Sequence, residues 1–136
     1  MTHVEEAVQL FEKGYRCSQA VFAAFSSDFG VPKEDALKIG ACFGSGMRKG
    51  EVCGACTGAL MVLGLKYGED KDKSDEVCNK FLDEFKNANG SYICRDLLGC
   101  DISTEKGVKF ARENNLFKEF CPEMVESACE IVEKLI

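Results

Sequence analysis

Four of the nine cysteines in this chain stand where helices are expected to begin. Cys17 follows Gly14 and opens the run CSQAVFAAF. Cys53 follows Gly50 and opens CGACTGALMVLGL. Cys94 follows Gly90 and Ser91 and opens CRDLLG. Cys121 precedes Pro122 and opens CPEMVESACEIV. A helix N-terminus carries partial positive charge and N–H groups without intrahelical partners. A thiol placed there ionises more readily, and the thiolate is the form that attacks disulfides and binds metals. Four such positions in one small chain point to sulfur chemistry, either a metal or cluster site or a set of redox-active thiols.

Cys53 and Cys56 form a CxxC pair, Cys-Gly-Ala-Cys. Residues three apart at a helix start share a face, so the two can bind one metal together or close a redox disulfide. Cys56 can equally be a small buried residue that packs like alanine. A zinc ribbon needs a second CxxC about 15–20 residues away, and the chain has none. Thioredoxin-type chemistry places the motif after a β-strand, and no strand is expected here. Cys78 and Cys129 fall on inward helix faces and are expected to be core. Cys42, in a glycine-rich loop, and Cys100, just past Gly99, can approach a sulfur-rich site, but incidental placement is the favoured expectation.

The loop Gly44-Ser45-Gly46-Met47-Arg48-Lys49-Gly50 feeds the helix that bears Cys53. Its glycines let backbone N–H groups turn toward anions or sulfides, or simply make a tight connection. It has neither the Rossmann nor the Walker spacing. His3 is the only histidine. It lies near a terminus expected to fray and is given no role, so neither a His-based catalytic dyad nor a His-rich metal site is available. No CxxCH occurs to attach a haem covalently.

The elements that must position these cysteines read as helices throughout. Val4, Ala7, Val8 and Phe11 recur at helical spacing and define a first helix that ends at Gly14. A second runs from about Tyr15 to Phe29 and stops at Gly30. Pro32 opens a short helix to about Gly40. Residues 40–50 form the glycine-rich loop. The helix from about Glu51 to Tyr67 is apolar on every side of its middle and is expected to be buried at the centre. Within it, Gly54, Ala55, Gly58 and Ala59 are small enough to admit a neighbouring helix or a ligand close to the backbone.

Gly68–Lys73 reads as a charged turn, after which Ser74 can cap a helix carrying Val77, Cys78, Phe81, Leu82 and Phe85 on one stripe. Asn89-Gly90 ends that helix. Ser91–Leu98 is a short helix closed by Gly99. Thr104 or Ser103 caps another through about Asn114. In the last helix Cys121 is the expected N-cap, Pro122 takes the first helical position, and Val125, Ala128, Cys129, Val132 and Leu135 face inward. No stretch sustains the alternation of a strand. The expected fold is all-α, a compact helical bundle with irregular loops.

The length, 136 residues, suits a single cysteine-rich domain spanning 1–136 whose core needs no disulfide staples. The formal net charge of −6 argues against nucleic acid or an anionic membrane as partner. The N-terminal MTHVEEAVQLFEKG lacks the basic start and apolar stretch of a secretory signal. The longest apolar run, Val52–Leu65, is about 14 residues, short of the roughly 20 that span a bilayer. The expectation is a soluble, cytoplasmic protein. In that compartment thiols stay reduced, and an odd cysteine count fits a disulfide scaffold poorly.

Four segments carry a resemblance: GYRCSQAV at Gly14–Val21, FGSGMRKGEVCGACTGALMVLGLKYG at Phe43–Gly68, CRDLLG at Cys94–Gly99, and the late Cys121. Together they resemble the family of redox-active proteins named for the pattern C_GCAxxG_C_C, over nearly the whole chain. Residue by residue, the resemblance carries Cys17, Cys53, Gly54, Ala55, Gly58, Cys94 and Cys121. It extends to the non-haem part of split-Soret cytochromes, where such cysteines are associated with an iron–sulfur centre. The resemblance therefore implies a four-cysteine site. The five further cysteines, Cys56 inside the motif among them, can add ligands or swap them.

Four functions compete. The first is an iron–sulfur or other thiolate-metal protein that carries electrons or senses redox state, with Cys17, Cys53, Cys94 and Cys121 as ligands and Cys56 available as another. The second is a metal-free thiol–disulfide oxidoreductase with Cys53 as nucleophile and Cys17, Cys94 or Cys121 as resolving cysteine. The third is a structural zinc domain on the same ligands. The fourth is a helical interaction protein with inert cysteines, which leaves their placement at helix starts unexplained. The first two call for a redox partner protein. A homo-oligomer is left open.

Overall fold

The molecule is described by a computed structural model covering residues 1–136. It is all-α, as expected. Its helices, in chain order, are α1 (His3–Glu12), α2 (Cys17–Ser26), α3 (Lys33–Ile39), α4 (Gly54–Tyr67), α5 (Lys71–Asn89), α6 (Cys94–Leu98), α7 (Glu105–Glu113), α8 (Leu116–Glu119) and α9 (Cys121–Leu135). No helix is long and apolar enough to cross a membrane.

The centre is shared by two helices. α4 lies against α2, α5 and α9, as its apolar composition requires, and α2 packs on α1, α3, α4 and α9. Alanines and glycines let the two approach. At Gly58 an added Cβ would stand 2.6 Å from the Ser18 carbonyl oxygen, so only glycine permits this crossing. Phe25, Phe81, Phe85, Leu63, Val62, Val125 and Val132 fill the core around the crossing. Each large side chain removed from water there contributes about 1.5–3 kcal/mol. A second, smaller apolar group, Leu98, Ile102, Ala111 and Cys94 with Phe117 and Phe120 packed on it, sits where α6, α7 and α8 meet the bundle.

Several boundaries differ from expectation for local reasons. α2 ends at Ser26, and Ser27–Phe29 tightens into a 3₁₀ turn before Gly30 at φ 83°. α5 starts at Lys71 rather than after Ser74. Asp70 is the cap, its Oδ1 accepting from Lys73 N–H at 3.1 Å, so the second half of the expected charged turn, Lys71–Lys73, is helical. Cys78 is half-buried at the margin of α5, whose buried stripe is Val77, Phe81 and Phe85. Thr104 caps α7, accepting from Gly107 N–H at 3.0 Å. The short α8 was not foreseen. It turns the chain so that Cys121 is the first residue of α9, with Pro122 second.

The N-terminus is anchored, contrary to expectation. His3 lies between Asp28 (2.6 Å) and Glu133 (3.0 Å) and stacks on Phe25 with ring centroids 4.1 Å apart. Burial pulls its pKa down, but the two carboxylates together outweigh that and hold it above the usual value. A group whose folded pKa is raised stabilises the fold below its unfolded pKa and loses that contribution as pH rises through the folded value. Wild type is therefore expected to exceed His3→Gln in urea midpoint at about pH 5.5, and the gap is expected to close by about pH 9. A gap that widens with pH would contradict the assignment.

Candidate functional site

Cys17, Cys53, Cys94 and Cys121 all line one cleft of about 770 Å³ between the main bundle and the α6–α8 segment. Each arrives from a different element. Cys17 and Cys94 are the first residues of α2 and α6, Cys121 is the first of α9, and Cys53 is the N-cap of α4. One feature joins the second and third of them directly. Val52 and Ile93 form an isolated antiparallel bridge, with Cys53 N–H donating to Tyr92 O at 2.8 Å and Cys94 N–H to Glu51 O at 2.6 Å. A single non-local pair of this kind leaves no periodic trace in a sequence.

Cys17 is fixed from three sides. Ser18 Oγ donates to Gly40 O at 2.7 Å and Gln19 Nε2 to Leu37 O at 2.8 Å, which tie the start of α2 to α3. The Cys17 sulfur lies over Gly54, where an added Cβ would overlap it. The backbone N–H groups of Ser45 and Ser18 are directed at the same sulfur. Ser45 belongs to a left-handed turn: Ser45, Gly46, Met47 and Arg48 have φ of 57°, 60°, 55° and 66°. Each non-glycine residue held so costs roughly 1–2 kcal/mol. Gly46 is obligatory there, because a side chain would strike the Glu51 backbone. Strain of this kind persists where surrounding structure over-determines it, and it clusters at functional sites. Here it aims the Ser45 N–H at the Cys17 sulfur, while the loop also makes the tight connection into α4 that was its other expected role.

The thiols are electrostatically unequal. Cys53 alone is shifted toward the thiolate. The Cys56 S–H donates to it, and the N–H groups of Ala55 and Cys56 at the start of α4 assist, together outweighing its burial. Cys17 is pushed up to about 11 by burial and by the neighbouring Cys53, and Cys94 to about 12 by burial, Cys53 and Cys17. Cys121 is raised by burial and then by Cys17, Cys53 and Cys94. The four thus sense one another's charge across the cleft, and the first to ionise holds the others protonated. Cys56 is fully buried, lies outside the cleft lining, and is raised strongly by burial and by its bond to Cys53.

The remaining cysteines fall elsewhere. Cys129 is fully buried in the core, Cys42 is exposed, and Cys100 packs beside Cys94 without lining the cleft. The missed feature is the cleft rim. Arg16, Arg48, Arg112 and Lys118 line it against one acid, Glu12. They are scattered in sequence over α7, α8 and two loops, so no charge run announces them.

The donor set decides what could be held. No three cysteine, histidine, aspartate or glutamate side chains stand close enough together to enclose a single ion. A tetrahedral zinc site, with sulfurs about 2.3 Å from the metal, does not fit this side-chain arrangement. A bridged iron–sulfur cluster spreads its thiolate ligands over several irons. The four thiols lining the cleft are donors of the kind such a cluster takes.

Fold and site together define a small helical protein built around a group of interacting thiols. A family model described as "Putative redox-active protein (C_GCAxxG_C_C)" matches residues 15–135, and the chain belongs to that family. No curated protein and no solved structure matches it.

Proposed function

We propose that Cys17, Cys53, Cys94 and Cys121 ligate an iron–sulfur cluster through which the protein carries electrons to or from a partner protein, or senses redox state. The observation that supports this best is the convergence of four thiols, from four separate elements, on one cleft. Such a cluster supplies one-electron chemistry when bound. The chain's own residues do the rest. Cys53 is shifted in the direction of the ligating thiolate by the Cys56 S–H and by the N–H groups of Ala55 and Cys56. Ser45 and Ser18 N–H groups face Cys17, and Ala55 and Cys56 N–H groups face Cys53. Hydrogen bonds to ligating sulfurs stabilise the reduced, more negative state and raise the potential. Gly54 and Gly58 let α4 lie close enough to α2 for Cys17 and Cys53 to share the site.

Anaerobic purification followed by iron, sulfide and zinc analysis with a visible spectrum tests this. Iron, sulfide and sulfur-to-iron charge-transfer bands are expected. A colourless protein free of iron under those conditions counts against the cluster.

A specific observation favours a second function, thiol–disulfide exchange with Cys53 as nucleophile. Cys53 stands on the cleft wall with Cys56 three residues on, behind it, the Cys56 N–H donating to Cys53 O at 2.9 Å, and a CxxC pair held this close can pass between dithiol and disulfide. In that case Cys53 is alkylated fastest of all the cysteines at neutral pH in metal-free protein.

A further inference from the structure

We infer that, in the metal-free protein, Cys53 and Cys56 form a dithiol that reduces small anionic disulfides, Cys53 attacking from the cleft and Cys56 resolving from behind it. This rests on the thiol–disulfide function given above as the second reading of the site. It names a resolving cysteine that is none of the other three in the cleft.

The geometry separates the two roles. Cys53 forms part of the cleft wall, whereas Cys56 is fully buried and does not line the cleft. A substrate in the cleft therefore meets Cys53 and not Cys56. The two are nevertheless adjacent. Cys56 N–H donates to Cys53 O at 2.9 Å, closing a turn whose end Cα atoms lie within about 7 Å. A disulfide spans about 4.4–6.8 Å between Cα atoms. Cys53 is the N-cap, with ψ 133° outside the helical range, so it can close on Cys56 without unwinding α4. Cys17, whose sulfur is packed on Gly54, is a rival that lines the cleft itself. Cys94 and Cys121 face the same space as the substrate.

Charge sets the substrate class. The rim cations Arg16, Arg48, Arg112 and Lys118 are in no ion pair within the chain, and Glu12 is the one acid among the lining residues. The whole chain carries −6, so this is a local reversal of sign that concentrates anions at the thiols. The cleft volume, about 770 Å³, falls in the range of about 300–1,000 Å³ typical of small-molecule sites.

The chemistry balances. The Cys53 thiolate attacks one sulfur of the substrate, forming a mixed disulfide and releasing the first substrate thiolate, which takes up a proton. That proton is the one the Cys56 thiol gives up, so the first product leaves as a thiol, and the Cys56 sulfur then attacks Cys53 Sγ. The Cys53–Cys56 bond forms, the bond from Cys53 to substrate breaks, and the second thiolate leaves. The dithiol has lost two electrons and the substrate disulfide has gained them. An external dithiol reductant returns the pair to its starting state.

The test uses the full chain, reduced and stripped of metal, mixed with dithiodipropionate (dianionic) or cystamine (dicationic). Acid quenching, alkylation and peptide mass mapping follow. A Cys53–Cys56 disulfide is expected, forming about tenfold or more faster with dithiodipropionate. Cys56→Ser should stop at a mixed disulfide on Cys53. Cys56→Ala, read alongside, covers the chance that a hydroxyl at this buried position disturbs folding. Arg112→Gln with Lys118→Gln should shrink the preference between probes. A disulfide from Cys53 to Cys17, Cys94 or Cys121 would overturn the role of Cys56 while leaving Cys53 as nucleophile. An unreactive Cys53 would overturn the thiol–disulfide function itself. Equal rates for the two probes would overturn the anionic substrate class.

Discussion

Replacing Cys53 with serine is expected to abolish the chemistry of the site while leaving the fold in place. Cys53 is the N-cap of α4, and serine is among the residues preferred at an N-cap. The helix start should therefore survive. What is lost is the soft, ionisable sulfur, the one thiol in the cleft held toward its thiolate. Losing an outer-shell partner of a metal costs about 10–100-fold in affinity, and losing the ligand itself should exceed that. Bound iron should fall to background and, in metal-free protein, the Cys53 label should vanish from an alkylation map. Cys129→Ala is the contrasting variant. Cys129 is fully buried but lies outside the cleft, so its truncation should cost on the order of 1 kcal/mol and leave iron content unchanged. Equal loss of iron from the two variants would remove the basis for assigning the site to Cys53.

Two glycines on α4 are expected to respond to alanine with opposite signs. At Gly54 the new Cβ would overlap the Cys17 sulfur and stand 3.1 Å from Gly44 Cα and 3.2 Å from Phe43 O. The backbone on that side cannot retreat without moving the strained turn, so Cys17 must swing out of the cleft. Gly54→Ala should cost about 1–3 kcal/mol as overpacking and lower iron binding with it. At Gly64 nothing lies within 4 Å of the added Cβ. Gly64→Ala should stabilise by about 0.4–1 kcal/mol, because it narrows the unfolded ensemble. Urea midpoints and iron content of the two variants decide this. A Gly54→Ala protein with wild-type iron content and stability would show that the close approach of Cys17 to α4 does not matter.

The helical class and the helix starts at Cys17, Cys53, Cys94 and Cys121 were legible in the sequence, because glycine, Asn-Gly and proline punctuate the chain just before or after them. Other features depend on contacts that punctuation does not encode. α5 begins at Lys71 because Asp70 and Ser74, two good caps four residues apart, compete, and the earlier one wins. The left-handed turn at Ser45–Arg48 is held by its surroundings against local preference. The α8 segment exists to bring Phe117 and Phe120 onto the small apolar group beside Cys94. His3 looked unremarkable because both its partners, Asp28 and Glu133, are distant in sequence. For the site, the sequence singled out the four cysteines by position, whereas the cationic rim and the place of Cys56 behind Cys53 needed the fold.

Cysteine-resolved alkylation of anaerobically purified protein, before and after iron chelation, tests the central claim most directly. If Cys17, Cys53, Cys94 and Cys121 hold one cluster, all four should be protected together as isolated and released together on chelation. Cys42, exposed, should label throughout, and Cys129 should remain protected in both states because the core covers it. Four cleft cysteines that label independently of one another, with no change on chelation, would contradict a shared centre.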